Sequence, residues 1–322
     1  MAINILAYLK EEISQIEKAL ADEQISQLPF INQVSEYVFF AGGKRIRPLL
    51  CVLSGKAVNP ALPKDIYRTS LLFEYLHAAT LLHDDVVDSA EFRRGRKAAR
   101  NLWGNQATIL VGDYLFAKAM KMASQLKNPD VMEAITDTTL LLSEGEVLQL
   151  LHLDDNELSE ENYYQIIFRK TAVLMACSCK VGALLGSASP SIAEKFYHYG
   201  HFLGMSFQIV DDLLDYTGTE TGKDRGRDFM EGKITLPVIL ALQLAPTIEK
   251  EELLHLLKDK KPEHKDFERA YFLIEKNQGF AKSIEKAKFY INKAKEALTK
   301  LPSSTSKEAL LFICDYLLER KK

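Results

Sequence analysis

Residues 76–88 read LHAATLLHDDVVD and residues 207–215 read FQIVDDLLD. In each, an apolar run leads into a D-D-x-x-D triplet: Asp84, Asp85 and Asp88 in the first, Asp211, Asp212 and Asp215 in the second. Residues four apart lie one above the other on a helix, so Asp84 shares a face with Asp88, and Asp211 with Asp215. Stacked carboxylates repel and raise each other's pKa unless a cation neutralises them. Oxygen ligands with no cysteine or histidine beside them suit Mg²⁺, which takes one or two carboxylates and fills its shell with water and phosphate oxygens. One such triplet reads equally well as a polar helix end. Two on apolar helices, facing each other in a bundle, would bring six carboxylates to one cavity mouth, where several divalent cations could hold a diphosphate between them.

Outward from these stretches the pattern stays helical. Leu6, Leu9, Ile13, Ile16 and Leu20 recur at three- and four-residue spacing. Pro63 opens a stretch that runs through Tyr67, Leu71, Tyr75 and Leu82 to Asp88. Ser159, followed by Glu160 and Glu161, caps another that continues through Ile167 and Leu174 to about Leu185. Thr305 and Glu308 make a capping box for a last helix, Ala309 to Arg320. No alternating strand pattern with a hairpin turn is visible, and no repeat or low-complexity linker divides the chain. The pattern predicts one all-α domain over residues 1–322, with its chemistry on helices and on two charged loops, 89–101 and 218–233.

Composition sets the outer limits. Of 322 residues, 47% are hydrophobic and 26% charged, enough apolar mass for a sizeable core. A net charge of −3 gives no basic field for nucleic acid. The most apolar stretch, 234–244, is too short to span a bilayer, and the first 20 residues carry charges where a signal peptide needs an apolar core. Four scattered cysteines (Cys51, Cys177, Cys179, Cys314) make no disulfide framework and lack zinc spacing, so buried reduced thiols are expected. These features predict a cytoplasmic globular protein without a stable membrane anchor.

Basic residues flank the acidic triplets. Residues 42–48 read GGKRIRP, where Lys44, Arg45 and Arg47 offer charge and forked donors to phosphate. Arg93 and Arg94 follow the first triplet, Lys223 and Lys233 the second, and Lys170 lies in FRKTA between them. His77, seven residues before Asp84, falls on nearly the same helix face. Each residue alone reads as an ordinary surface or core group; their grouping around the acids points to an anionic ligand.

Together these segments closely resemble the trans-isoprenyl diphosphate synthases, or polyprenyl synthetases. The motifs run in order from GGKRIRP (42–48) through LHAATLLHDDVVD, RRG (93–95), GD (112–113), SEGEVLQL (143–150), FRKTA (168–172) and FQIVDDLLD to GKITLP (232–237). One departure is Phe229 after GKDRGRD, where leucine is more usual; the position stays apolar. The resemblance implies an isoprenoid-synthase-type helical bundle around a central cavity, working as a homodimer, most like octaprenyl-type enzymes. It implies Mg²⁺-dependent addition of isopentenyl diphosphate to an allylic diphosphate. By matching positions, Asp84 and Asp88 bind magnesium with Asp85 in support, as do Asp211 and Asp215, with Asp212 a weaker ligand. Lys44, Arg47, His77 and Arg94 hold isopentenyl diphosphate; Arg93, Lys170, Thr171, Gln208, Lys223 and Lys233 line the allylic side. Among these, Lys170, Thr171, Gln208 and Lys233 serve the ionisation step, with the Thr171 hydroxyl and Gln208 carbonyl suited to face a carbocation.

Product length is the open variable. Thr80 lies one turn before Asp84 and Ala79 beside it, and in the family bulky aromatic residues at these positions close the cavity early. Both are small here, so the cavity is expected to continue toward Phe73 and the product to be a medium- or long-chain polyprenyl diphosphate. The alternatives are a shorter geranylgeranyl or farnesyl product, a terpene cyclase, a non-catalytic partner subunit, and an acidic cation-binding helical protein. A cyclase has no need of GGKRIRP, a non-catalytic subunit would be expected to lose aspartates, and a cation binder leaves the basic set without a purpose.

Overall fold

The structure, a computed structural model, describes residues 4–152, 158–218, 225–258 and 263–319. These residues are helical almost throughout, as the apolar spacing predicts. By packing, the chain resolves into two compact units, each assembled from separate stretches of sequence. The described residues up to Asp137, with Cys177–Glu194 and Ser303–Leu310, form one; Thr138–Ala176, Lys195–Pro302 and the described residues from Leu311 onward form the other. The sequence, read as one domain, carries no composition shift at these boundaries, because all but Pro302–Ser303 fall inside helices rather than in linkers.

The first unit contains α1 (Ile5–Asp22), α2 (Pro29–Phe39), α3 (Ile46–Val58), α4 (Asp65–Val87) and α5 (Ala99–Gln125). Helix α4 is largely apolar and mostly buried from Leu71 to Leu82, with α1, α2, α3 and α5 packed against the helix. On α1, Leu9, Ile16 and Leu20 are buried as the stripe predicts, whereas Leu6 is exposed. Glu12, also on that stripe, is buried because Lys56 Nζ (2.6 Å) and the Tyr67 hydroxyl (2.9 Å) donate to its carboxylate. The charged loop holds one short hairpin that no alternating pattern marks. There β1 (Phe92–Arg93) pairs antiparallel with β2 (Arg96–Lys97) across a turn in which Arg94 and Gly95 both take positive φ, 52° and 74°. Strands of two residues are too short to leave an alternating pattern.

The second unit takes the later part of α6 (Pro129–Leu151), α7 (Glu160–Ile167), a π-helical turn (Phe168–Ala172) and the first residues of α8 (Val173–Leu185). It continues with α9 (Pro190–Thr217) from Lys195, α10 (Arg227–Met230), α11 (Leu236–Leu244), α12 (Thr247–Lys258), α13 (His264–Lys276) and α14 (Gly279–Leu298). The apolar stretch 234–244 becomes α11, whose Leu236–Ala241 are buried against α14, α13 and α7. Among the described residues no helix is long and apolar enough to cross a membrane. Ser159 caps α7 as predicted, its hydroxyl accepting from the Asn162 N–H (3.1 Å). The continuous helix predicted to Leu185 is broken by the π-turn, in which the Val173 N–H reaches back to the Phe168 carbonyl. The last helix, α15 (Thr305–Glu319), is capped one residue earlier than the sequence suggests, by the Ser304 hydroxyl on the Lys307 N–H (3.2 Å). Its predicted end, Arg320, lies outside the described residues. All four cysteines are buried, none of them in a disulfide.

Candidate active site

Two sets of candidate residues are built independently, one in each unit. In the first, Asp84 is half-buried and Asp88 exposed at the end of α4, with the Asp88 N–H closing the helix on the Asp84 carbonyl (2.8 Å). Asp85 faces another way. It is 2% exposed, and Arg93 Nε donates to its Oδ1 at 2.5 Å. The β1–β2 hairpin is therefore tied to α4 by an ion pair, and Asp85, Arg93, Arg94, Tyr37 and Lys97 line one small cavity. The Tyr37 hydroxyl donates to the Lys97 carbonyl (2.7 Å), bracing the far side of the same hairpin.

The GGKRIRP segment leads into α3. Lys44 is exposed, Arg47 half-buried and Arg45 buried. Arg45 takes a left-handed φ of 49°, and its guanidinium is spent inside the protein: Nη1 donates to Glu74 (2.7 Å) and Nη2 to the Phe39 carbonyl (2.6 Å). The expectation that Arg45 offers forked donors to a ligand is corrected accordingly. His77, one turn beyond Glu74 on α4, is held neutral: burial depresses its pKa most, and the nearby charges of Arg47, Arg94, Arg93 and Arg45 depress it further. Arg94 is itself shifted down, by desolvation first, with Arg93 and Arg45 adding repulsion. So much positive charge around one neutral imidazole favours an anion.

Further down α4, Phe73 and Ala79 are fully packed, while Thr80 is half-buried and donates its hydroxyl proton to the His77 carbonyl (2.9 Å). A polar groove of about 590 Å³ among the α1–α2 connection, α2 and Trp103 contains none of the candidate residues.

In the second unit the FRKTA segment is the π-turn, a distortion found at functional sites more often than in plain scaffolding. Two glycines allow it to sit where it does. A Cβ on Gly145 of α6 would come within 2.6 Å of Arg169 Cβ, and one on Gly204 of α9 within 2.5 Å of Ala172 Cα. Lys170 Nζ lies 2.9 Å from Glu146, and the Thr171 hydroxyl donates to Gln208 Oε1 (2.8 Å). Gln208 Nε2 donates to Asp212 Oδ1 (2.8 Å), and the Tyr163 hydroxyl to Asp212 Oδ2 (2.6 Å). Asp211 is exposed on the same helix, whereas Asp215 is half-buried and accepts from the Asp228 N–H (3.0 Å), anchoring α10. Lys233 Nζ is 2.7 Å from Glu231 and 3.8 Å from Asp228. Phe229 is buried against Phe267, so its departure from leucine is absorbed in the core. Lys223 lies outside the described residues.

The carboxylates of this unit are short of positive charge. Burial, then the charges of Asp228 and Asp211, push Asp212 up to about 8, although Tyr163 and Gln208 hold it down. Burial and Asp215 push Asp228 up to about 6, and burial raises Asp215 as well. A divalent cation relieves such crowding, so the donor set fits Mg²⁺. Among the described residues no three His, Cys, Asp or Glu side chains form a ready-made metal centre.

Sequence reasoning missed Glu74, Glu146, Tyr163 and Asp228. Asp228 and Glu146 carried a signal, the first standing in GKDRGRD beside the second triplet and the second in SEGEVLQL. Glu74 and Tyr163 carried none, since a lone glutamate or tyrosine on a helix reads as a solvated charge or a core group.

The sequence pattern of the polyprenyl synthetase family matches residues 28–274. An octaprenyl diphosphate synthase of Escherichia coli (strain K12) is 38% identical over 234 residues, 72% of this chain and 72% of that protein. The crystal structure of a decaprenyl diphosphate synthase from Rhodobacter capsulatus matches with a TM-score of 0.91 at 36% identity, over 99% of this chain and 98% of the other. A polyprenyl synthase from Caulobacter crescentus CB15, crystallised with calcium and isoprenyl diphosphate, matches with a TM-score of 0.90 at 34% identity, over 99% and 97%. With the family pattern covering 247 of 322 residues and both aspartate triplets inside it, the chain belongs to the polyprenyl synthetase family.

Proposed function

We propose that the protein is a magnesium-dependent trans-prenyltransferase that condenses isopentenyl diphosphate with an allylic diphosphate to make a medium- or long-chain all-trans polyprenyl diphosphate. The observation that carries this reading is the arginine set around neutral His77, which favours an anion in the very unit that holds Asp84 and Asp88. The crowded carboxylates around Asp212 add the matching demand for a cation. The octaprenyl and decaprenyl names of the relatives support the product class. The family likeness supports a homodimer working in the cytoplasm.

On this reading Lys44, Arg47 and Arg94 bind the isopentenyl diphosphate, with His77 as an uncharged hydrogen-bonding neighbour. Asp84 and Asp88, and likewise Asp211 and Asp215, hold Mg²⁺. Asp85 and Asp212 act differently, since the first is engaged by Arg93 and the second by Tyr163 and Gln208. Magnesium, when bound, offsets the charge that develops on the departing allylic diphosphate. Arg93, Lys170, Lys223 and Lys233 add donors to that group, stronger in the transition state than in the ground state. Thr171 turns its hydroxyl dipole toward the allylic cation. The isopentenyl double bond attacks, and the released diphosphate takes the proton that must leave.

A shorter product is the second reading, favoured by the complete burial of Phe73 beneath Thr80 on α4. The deciding experiment is turnover of isopentenyl diphosphate with farnesyl and geranylgeranyl diphosphate primers, with and without Mg²⁺. Magnesium-dependent elongation is expected; cyclised hydrocarbon, or no product from a folded protein, overturns the reading.

A further inference from the structure

Four side chains of the second unit form a directed hydrogen-bond chain. The Tyr163 hydroxyl donates to Asp212 Oδ2 (2.6 Å), Gln208 Nε2 donates to Asp212 Oδ1 (2.8 Å), and the Thr171 hydroxyl donates to Gln208 Oε1 (2.8 Å). The two inner members, Tyr163 and Asp212, are 3% and 5% exposed, while Gln208 and Thr171 at the other end are only half-buried. Thr171 also sits in the π-turn, so its backbone is fixed by the packing of Gly145 and Gly204 around that turn.

The direction of this chain has a chemical consequence. A threonine hydroxyl has one proton and two lone pairs. Donating the proton to Gln208 leaves only lone pairs, the negative end of the dipole, to face anything else. A half-turn of the Gln208 amide would reverse this: Nε2 would donate to Thr171, and the hydroxyl would turn its proton outward. Where Asp212 is ionised, its Oδ1 prevents the half-turn, because it accepts from the amide nitrogen and would repel the amide oxygen. Asp212 is in turn fixed by Tyr163. Without the phenol, the buried Oδ2 loses its donor and the carboxyl is released to rotate toward another one.

We propose that Tyr163 is a positioning residue that, through Asp212 and Gln208, sets the sign of the dipole which Thr171 presents to the developing allylic cation. The inference rests on the prenyl-transfer reading above. It assigns Tyr163 a role in ionisation although its phenol touches only Asp212 in the chain, and it replaces the direct role expected for the Gln208 carbonyl, which is occupied by Thr171.

The test compares two non-reacting ligands on the full-length protein with Mg²⁺, measured by calorimetry. One is an allylic analogue with an ammonium group at the reacting carbon and an intact diphosphate; the other is the allylic thiolodiphosphate, which keeps the diphosphate but has no charge at the reacting carbon. Tyr163→Phe should weaken the ammonium analogue about tenfold and leave the thiolodiphosphate within about twofold, with kcat falling alongside the ammonium affinity and both KM values little changed. Thr171→Val should give a similar loss, Thr171→Ser should restore it, and Tyr163→Phe added to Thr171→Val should cost nothing more. Gln208→Met breaks the chain at its middle and carries the same expectation if Tyr163→Phe does not fold. Equal effects on the two ligands, no effect, or additive losses in the double variant overturn the proposal. A wild-type protein that binds neither ligand and elongates nothing fails the prenyl-transfer reading instead.

Discussion

Arg45 and Glu74 meet in the core of the first unit, guanidinium Nη1 to carboxylate at 2.7 Å, with Arg45 held in a left-handed backbone conformation. The pair joins the start of α3 to the middle of α4, one turn before His77. Its second nitrogen closes on the Phe39 carbonyl at the end of α2. Three helices, α2, α3 and α4, are thus tied together by one buried side chain, and Lys44 and Arg47 flank it in sequence. Glu74→Gln should leave a buried guanidinium uncompensated and lower unfolding stability by about 3 kcal/mol in urea titrations. Because the loop between Lys44 and Arg47 loosens, the KM for isopentenyl diphosphate should rise, while that for the allylic primer stays close to wild type. An equal rise in both would mean that the pair serves the whole fold rather than this loop.

The two aspartate triplets divide by what their side chains touch. Asp84→Ala and Asp211→Ala remove carboxylates read as magnesium ligands and should lower turnover by a factor of about 10³ or more with little change in circular dichroism. EDTA in excess should stop the wild-type reaction and Mg²⁺ restore it. Asp85→Asn acts on the Arg93 ion pair instead, so its loss should show mainly as a higher KM and a less stable hairpin. A folded Asp84→Ala protein with near-normal turnover would remove the basis of the assignment.

The residues of the site that spoke through the sequence were those whose chemistry repeats at helical spacing. Asp84 and Asp88, or Asp211 and Asp215, are visible because four residues make one turn and because charge is out of place on an apolar helix. The residues that stayed silent act across space. Tyr163 reaches Asp212 over 49 positions and Arg45 reaches Glu74 over 29, and neither distance has a sequence signature. The π-turn at 168–172 was hidden for another reason. It lengthens one turn by a single residue without disturbing the apolar spacing on either side, so the helix from Ser159 to Leu185 reads as continuous. Helix class followed directly from periodicity, whereas the division into two compact units cuts through helices and leaves no mark in composition.

The π-turn depends on two missing side chains. Adding a methyl at Gly204 would place Cβ 2.5 Å from Ala172 Cα, a backbone atom that cannot step aside. Gly204→Ala should therefore push the turn off α9 and cost about 1–3 kcal/mol of stability. The displaced turn carries Lys170 and Thr171, so kcat should fall at least as far as in Thr171→Val. Normal kinetics in a destabilised Gly204→Ala protein would separate the turn from the chemistry.

His201 on α9 gives the stability a pH dependence. It packs against Phe168 at a tilt and Phe202 edge-on, each ring 4.9 Å away, and burial, with a smaller push from His198, lowers its pKa from 6.5 to about 4. Between those values the unfolded chain binds a proton that the folded chain refuses. The stabilisation is thus complete above about pH 6.5 and is lost as the pH falls toward 4, a contribution on the order of 2 kcal/mol after allowing for partial exposure. His201→Phe keeps an aromatic ring at this position and removes the titration. The difference in urea midpoint between variant and wild type should shift in the variant's favour as pH falls from 6.5 to 4. A constant difference across that range would show that His201 titrates alike in both states.

On the prenyl-transfer reading, product length is expected to depend on α4 below the first triplet, and the packing there separates two variants that the sequence treats alike. Ala79 is 1% exposed and surrounded by core, so Ala79→Tyr must displace neighbours and should destabilise the protein by about 1–3 kcal/mol whatever it does to the product. Thr80 is half-buried, and its hydroxyl is engaged only one turn back, on the His77 carbonyl. Thr80→Phe can therefore add its ring with less strain, one turn or about 5.4 Å from Asp84 along the helix. If the growing chain passes Thr80, wild type should release products longer than geranylgeranyl diphosphate. Thr80→Phe should then shorten them to farnesyl or geranylgeranyl length with the first condensation rate unchanged. Phe73→Ala offers the opposite test. It opens space at the next step down, and if Phe73 forms the floor, the product should lengthen by one or more isoprene units. Chromatography of the dephosphorylated products reads all three. A wild-type enzyme that stops at geranylgeranyl diphosphate and lengthens only in Phe73→Ala would place the floor at Phe73 and favour the shorter product class.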